Sequence, residues 1–245
     1  MAVKDYRNSH TSKDHGRFYD QTFAGKRTGF YWHCFEKPFL HQLFFELSQK
    51  QQGPVLDFAC GTGRITRILA QYFSDVSGID LSGEMLKEAQ QILPEMKFMQ
   101  VDISRNEIDC PAYGLICAFR FFLNAQPELR AASLDWLHKH LRHDGLFLVN
   151  NHLRSASVKG TLTRLLKSAG LSERNYLVEK DFVELLRQHG FAAEKIFSFC
   201  LLPGSHCFPP LSPALHLRLE KMLERIPALS NFTEQSIYMC RRLPA

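Results

Sequence analysis

The sequence predicts an α/β fold: a doubly wound, mostly parallel sheet with helices on both faces. Three observations point there. From residue 54 onward, short apolar runs alternate with stretches of helical periodicity. The run YGLICAF (113–119) is continuously apolar, as a strand buried on both faces should be. The stretch VLDFACGTGR (55–64) leads an apolar run into a turn of small residues. Open α/β sheets receive their ligands at such a place, beyond the carboxyl ends of the strands.

The elements follow in order. Residues 1–29 are polar with interspersed aromatics and read as an arm, and 34–48 form an amphipathic helix with Phe39, Leu40, Leu43 and Leu47 on one face. After the break at 49–54, PVLDF (54–58) is the first strand. Ile65, Ile68, Leu69 and Tyr72 mark a helix over 63–73. VSGID (76–80) is the second strand, and Ser82 caps a helix running through Gln91. KFMQVD (97–102) and YGLICAF are the third and fourth strands. Leu129, Ala132, Trp136 and Leu137 mark a helix, and GLFLVNN (145–151) is the fifth strand. Helices are expected over 157–169 and 180–189, with late strands at 192–199 and 236–242. Between those strands lies an insert with a proline-rich start and an apolar helix stripe of Leu215, Leu219, Met222, Leu223 and Ile226. The 245 residues suit one domain. Residues 1–49 are its covering arm and helix, 50–155 its ligand-binding core, and 156–245 its second half with a cover insert at 201–235.

Composition excludes several classes. The net charge of +5 is a mild excess with scattered basic residues, so no nucleic-acid partner is expected. Seven cysteines without a CxxC pair predict a reduced interior and no structural zinc. The polar N-terminus and the lack of a long apolar run predict a soluble, cytoplasmic protein with no membrane partner. His138, His140 and His143 read as a solvated helix end rather than a metal site.

Three acids carry the functional reading. Asp57, Asp80 and Asp102 each end one of three successive predicted strands. A dinucleotide would bring its pyrophosphate to the loop after the first strand, but the positions of its GxGxxG fingerprint hold Ala59, Gly61 and Arg64, and Asp57 would repel the phosphates. A carboxylate there suits a ligand that presents a cation. VLDFACGTGR resembles motif I of the class I S-adenosylmethionine (SAM)-dependent methyltransferases, written D-x-G-x-G-x-G. Ala59 stands in place of the first glycine, which a negative φ would accommodate. GIDLSGEML (78–86) and QVDI (100–103) resemble the family's next motifs, and the resemblance covers about residues 50–152.

The resemblance implies a Rossmann-like, mostly parallel seven-stranded sheet with an antiparallel last strand, and SAM as cofactor. It assigns Asp57, Ala59, Gly61 and Gly63 to the methionine portion and Asp80 to the ribose hydroxyls. Leu81 and Met85 fall near the adenine, and Asp102 and Ile103 contact it. Tyr19, in a Tyr-Asp-x-x-Phe stretch of the arm, is assigned to the methionine carboxylate.

Methyl transfer needs alignment and exclusion of water, with a base only where the nucleophile must lose a proton. The candidates for that work are Arg120 at the end of the fourth strand and His152, a general base of near-neutral pKa after the fifth; Phe119, beside Arg120, is expected to bind the cofactor, with Asn124 close by. His33, beside Tyr31 and Trp32, is expected to wall the acceptor pocket. Arg120, inside an apolar run, is expected to pair with a substrate anion or with an acid of the fold. No Asn/Asp-Pro-Pro-aromatic motif follows the fourth strand, which argues against a nucleic-acid base amine as acceptor. The reading is a methyltransferase acting on oxygen or nitrogen of a small, apolar or aromatic molecule. An RNA or protein methyltransferase and a non-catalytic SAM-binding partner subunit are the alternatives.

Overall fold

The computed structural model describes residues 26–51, 53–105, 108–171, 175–202 and 212–243. It begins with helix α1 (Lys26–Tyr31), which passes through a π-helical turn (Trp32–Glu36) into α2 (Lys37–Ser48). Then follow β1 (Val55–Phe58), α3 (Thr66–Leu69), β2 (Val76–Asp80), α4 (Gly83–Ile92), β3 (Lys97–Gln100) and β4 (Tyr113–Ala118). The second half contains α5 (Pro127–His140), β5 (Leu141–Asn151), α6 (Val158–Ser168), α7 (Glu179–Gln188), β6 (Phe191–Phe199), α8 (Pro213–Leu223), a 3-10 turn (Pro227–Phe232) and β7 (Gln235–Arg242).

The strands form a seven-stranded sheet in the order β3-β2-β1-β4-β5-β7-β6. Pairs among β1 to β5 are parallel, while β7 runs antiparallel to both β5 and β6. The order reverses between β1 and β4, so the switch point lies where Phe58 and Ala118 end their strands.

Strand alternation separates two cores, one on each face. Leu56, Ile116, Phe147 and Val149 point to the face covered by α5 and α7, where Leu134, Trp136, Phe182 and Leu186 meet them. Val55, Leu115, Cys117 and Leu148 point to the other face, under Trp32, Leu40, Phe44 and Leu69. Continuous apolar strands arise because both alternating sets are buried. Ser82 caps α4 by accepting from the Met85 amide at 3.3 Å. Cys34, Cys60, Cys110, Cys117, Cys200 and Cys240 are free thiols. No helix among the described residues is long and apolar enough to cross a membrane.

Four expectations need correction. The helix expected over 63–73 shrinks to Thr66–Leu69, because Gly61 and Gly63 before it hold positive φ (56° and 77°), outside the helical region. Strand β5 starts at Leu141 rather than 145, since Leu141 pairs with Tyr113. This moves His143 into the strand. His138 and His140 are half-buried rather than solvated: His138 packs on Phe191, and His140 stacks on Trp136 with centroids 4.1 Å apart. Burial lowers the His138 pKa, with Arg242 adding to the effect. The insert helix does not bury its stripe as a whole: Leu215 and Met222 are exposed, as is Ile226 beyond its end, and Leu219 and Leu223 are half-buried, while His216 and Glu220 are buried. Glu220 fixes that orientation by accepting the amides of Leu201 and Leu202 at 3.0 and 2.7 Å. The proline-rich segment 203–211 lies outside the described residues.

Candidate active site

A cavity opens at the switch point, between the carboxyl ends of β1 and β4. Its β1–β3 wall carries Asp57, Ala59, Gly61, Asp80 and Asp102, together with Leu81, Met85 and Ile103. Most of the residues assigned by the resemblance thus share one space.

The loop after β1 is held by its acids. Asp57 is buried, and its Oδ2 accepts the Thr66 amide at 2.8 Å and the Thr66 hydroxyl at 2.5 Å. Burial pushes its pKa up to about 7 against the pull of the Thr66 hydrogen bonds and of Arg64. Asp80 accepts the amides of Gly61 and Ser82, each at 2.8 Å, one on each carboxylate oxygen. Burial raises its pKa too, and those amides oppose the shift. Asp102 Oδ1 accepts the Ser104 amide at 3.0 Å.

Gly61 lines the space with its backbone. A Cβ built there would meet nothing within 4 Å, so the backbone lies bare to the cavity. Gly63 does not line the cavity, contrary to its assignment. A Cβ on it would reach Ala89, Leu93 and Phe98 at 3.4 Å, so its small size serves the packing of α4 and β3 against the loop. Ala59 has φ 55°, not the negative value expected. The methyl group is carried in the left-handed region, at a cost of about 1–2 kcal/mol.

The opposite wall carries Arg64, Phe119, Arg120 and Phe121, with Leu129 and Ser133 from α5. Its organiser is a residue the sequence reading passed over. Glu36, at zero exposure, sits 3.1 Å from Arg120 and 3.6 Å from Arg64, and Asn150 donates to it at 3.4 Å. Burial alone would raise its pKa, but Arg120 and Arg64 outweigh burial and hold it below the usual carboxylate range. Arg64 also lies over the Trp32 ring at 4.0 Å. The π-helical turn therefore presents Trp32 and Glu36 together to the loop after β1. A signal for Glu36 exists in the sequence: it falls on the helical stripe of Leu40, Leu43 and Leu47.

Arg120 itself has φ 61°, and its amide donates to Asn150 Oδ1 at 2.6 Å. Of the two partners expected for it, the structure supplies the acid of the fold. Asn124, expected near the ligand, is exposed and donates instead to the Arg120 carbonyl at 2.9 Å. His33 is exposed and outside the cavity wall, while its neighbours Tyr31 and Trp32 are buried. His152 also lies outside the wall. Burial, then Arg120, Lys159 and Arg64, hold its pKa well below the ordinary imidazole value rather than near neutrality. Tyr19 lies outside the described residues. Among the described residues, no cluster of His, Cys, Asp or Glu has the form of a metal site.

The site fits a nucleoside ligand with a cationic tail. It offers a bare backbone at Gly61 and acids at three strand ends. The fully buried Ser133 belongs to the same wall, and its hydroxyl has no hydrogen-bond partner among the described residues.

Comparison with known proteins is consistent with this geometry. Residues 55–145 match the family described as "Methyltransferase domain". Trans-aconitate 2-methyltransferase of Azoarcus sp. (strain BH72) is 41% identical over 97 residues, covering 39% of this chain and 37% of that protein. The enzyme of the same name from Rhodopseudomonas palustris (strain HaA2) is 32% identical over 65 residues, 26% of this chain and 25% of its own. The chain thus spans between a quarter and two-fifths of these relatives. A TehB-like SAM-dependent methyltransferase from Corynebacterium glutamicum superposes with a TM-score of 0.58 at 19% identity, over 93% of this chain and 98% of its own, and shares the fold.

Proposed function

We propose that this chain, a class I SAM-dependent methyltransferase by its domain and its fold, transfers a methyl group to an oxygen or nitrogen of a small apolar or aromatic molecule. One observation carries the reading: Asp57 in β1, Asp80 at the end of β2 and Asp102 just past β3 face one cavity with Phe119 and Phe121 on its far wall.

Bound SAM supplies a methyl group on a positively charged sulfur, which leaves as a neutral thioether. The chain's own residues bind and align. Asp80, pre-oriented by two amides, accepts from the ribose hydroxyls. Asp57 in its ionised form attracts the ammonium end, and Asp102 accepts from the adenine amine. Gly61 allows the backbone to approach the ligand closely. Phe119 and Phe121 keep water from the reacting atoms and favour an apolar acceptor. Arg120, locked by Glu36 and Asn150, borders the acceptor side without swinging freely.

The acceptor named for the trans-aconitate relatives does not carry over directly. The family match ends at residue 145 and begins at 55, so Glu36 and Trp32, which organise the acceptor wall, stand outside it. Calorimetry with SAM, S-adenosylhomocysteine and NAD tests the cofactor reading, and NAD binding as tightly as SAM would overturn it. A screen of small phenols, amines and carboxylic acids tests the acceptor class. Turnover on carboxylic acids alone would overturn the apolar acceptor.

A further inference from the structure

Helix α6 turns its apolar face away from the protein. Its inward residues are Gly160 and Thr163, while Val158, Leu162, Leu165 and Leu166 face solvent, with Leu165 59% and Leu162 53% exposed. The orientation is built in. A Cβ at Gly160 would fall 1.8 Å from the Arg154 carbonyl, so that face alone can approach the loop so closely. Ser157 caps the helix on the same side, accepting the Gly160 amide at 3.0 Å. The helix cannot roll its leucines inward without breaking both contacts.

Its charges have one sign. Lys159 borders the stripe, Arg164 and Lys167 lie farther round the helix, and the helix contains no acid. Lys159 is paired with Glu234. Helix α8 repeats the pattern, with Leu215 and Met222 exposed and Arg218, Lys221 and Arg225 at the surface beside a single exposed acid, Glu224. Both helices leave the same edge of the sheet. α6 follows the carboxyl end of β5 and α8 that of β6, which runs parallel to β5 because β7 is antiparallel to both. This is the edge on which the cavity opens.

We infer that α6 and α8 form a docking surface for an anionic lipid bilayer, lying in its interface with the leucine stripe among the acyl chains and the cations at the head groups. An exposed apolar stripe with cations on the polar remainder of the helix has the pattern of an interfacial helix. Charge decides between occupants. A second copy would bring like-charged rims together, whereas anionic head groups match five exposed cations, Arg164, Lys167, Arg218, Lys221 and Arg225. The docking differs from spanning, for which no helix among the described residues is long and apolar enough, and it does not depend on the identity of the acceptor.

Flotation of the full chain with vesicles tests it. Phosphatidylcholine vesicles containing about 30% phosphatidylglycerol should carry the protein up, pure phosphatidylcholine should not, and raising salt from about 0.1 M to about 0.5 M should release it. The triple variant Leu162→Ser, Leu165→Ser, Leu166→Ser should bind roughly tenfold less with an unchanged circular dichroism spectrum. Should that variant misfold, the surface pair Arg164→Glu and Lys167→Glu must show the same loss. Absence of wild-type binding to anionic vesicles overturns the inference, as does undiminished binding by the variants. A wild-type dimer that the triple variant turns into a monomer assigns the stripe to a second copy and overturns it too.

Discussion

On the β1–β3 side of the cavity, each buried acid is held by groups close to it in sequence. Asp57 is bound by Thr66, 9 residues on, and Asp80 by Ser82 and by Gly61, 2 and 19 residues away. On the β4–β5 side the holding group comes from far off. Glu36 reaches Arg120 across 84 positions and Asn150 across 114. The first side uses main-chain amides and needs only a strand, a turn and a helix start. The second uses a charged cluster and exists only once the N-terminal helix has docked. A wall of local construction can be shared by many proteins, while a wall made by a distant segment can differ in each.

The largest effect should come from breaking the distant side. Glu36→Ala leaves Arg64 and Arg120, 13% and 17% exposed, without their carboxylate. Loss of one partner of such a buried pair costs about 3–5 kcal/mol of stability. Urea denaturation monitored by tryptophan fluorescence would show it, and an unshifted midpoint would mean the cluster is not a clasp.

On the local side, Asp80→Ala removes the proposed ribose acceptor and frees the Gly61 amide together. SAM affinity should weaken by about 2–4 kcal/mol in calorimetry. Its effect on unfolding should be smaller than that of Glu36→Ala, and the reverse order would erase the contrast between the two walls.

A third test uses pH. Burial raises the Asp57 pKa to about 7, so below that the group is largely protonated in the free site. A cationic ligand end favours the carboxylate, so binding releases a proton there and tightens as pH rises. SAM affinity should improve about tenfold from about pH 6 to pH 8 and then level off. Asp57→Asn should flatten that slope, and an equally steep slope in the variant would show that Asp57 is not the titrating group.

The smallest effect is expected at Ala59. Its φ of 55° strains the methyl-bearing residue, so Ala59→Gly should raise stability by about 1 kcal/mol. Thermal unfolding reads this directly, and a lower midpoint would show that the left-handed conformation carries no penalty here.

Read from the chain alone, the sheet and its cofactor wall are legible because their determinants are local. Alternation with period two or unbroken apolar runs mark strands, and an acid followed by small residues marks a strand end and turn. Asp57, Gly61, Asp80 and Asp102 stand at such strand ends and turns, within the stretches that resemble the family's motifs, and all four line the cavity. Gly63 shows the limit of the method, since a glycine spared for packing looks the same as one spared for a ligand.

What the tertiary structure alone decided concerns direction and distance. Periodicity marks α6 and α8 as amphipathic but is silent about which face turns inward. That choice went to Gly160 against the Arg154 carbonyl and to Glu220 against two amides, and it left Leu162 and Leu165 of α6 and Leu215 and Met222 of α8 outside. The pairing of Glu36 with Arg64 and Arg120 was equally out of reach, since charges far apart in sequence carry no local mark of their partners. Local sterics and hydrophobic periodicity determine the elements, whereas buried charge finds its partner only when the elements are packed, because an unpaired charge is tolerable in water and costly in the core.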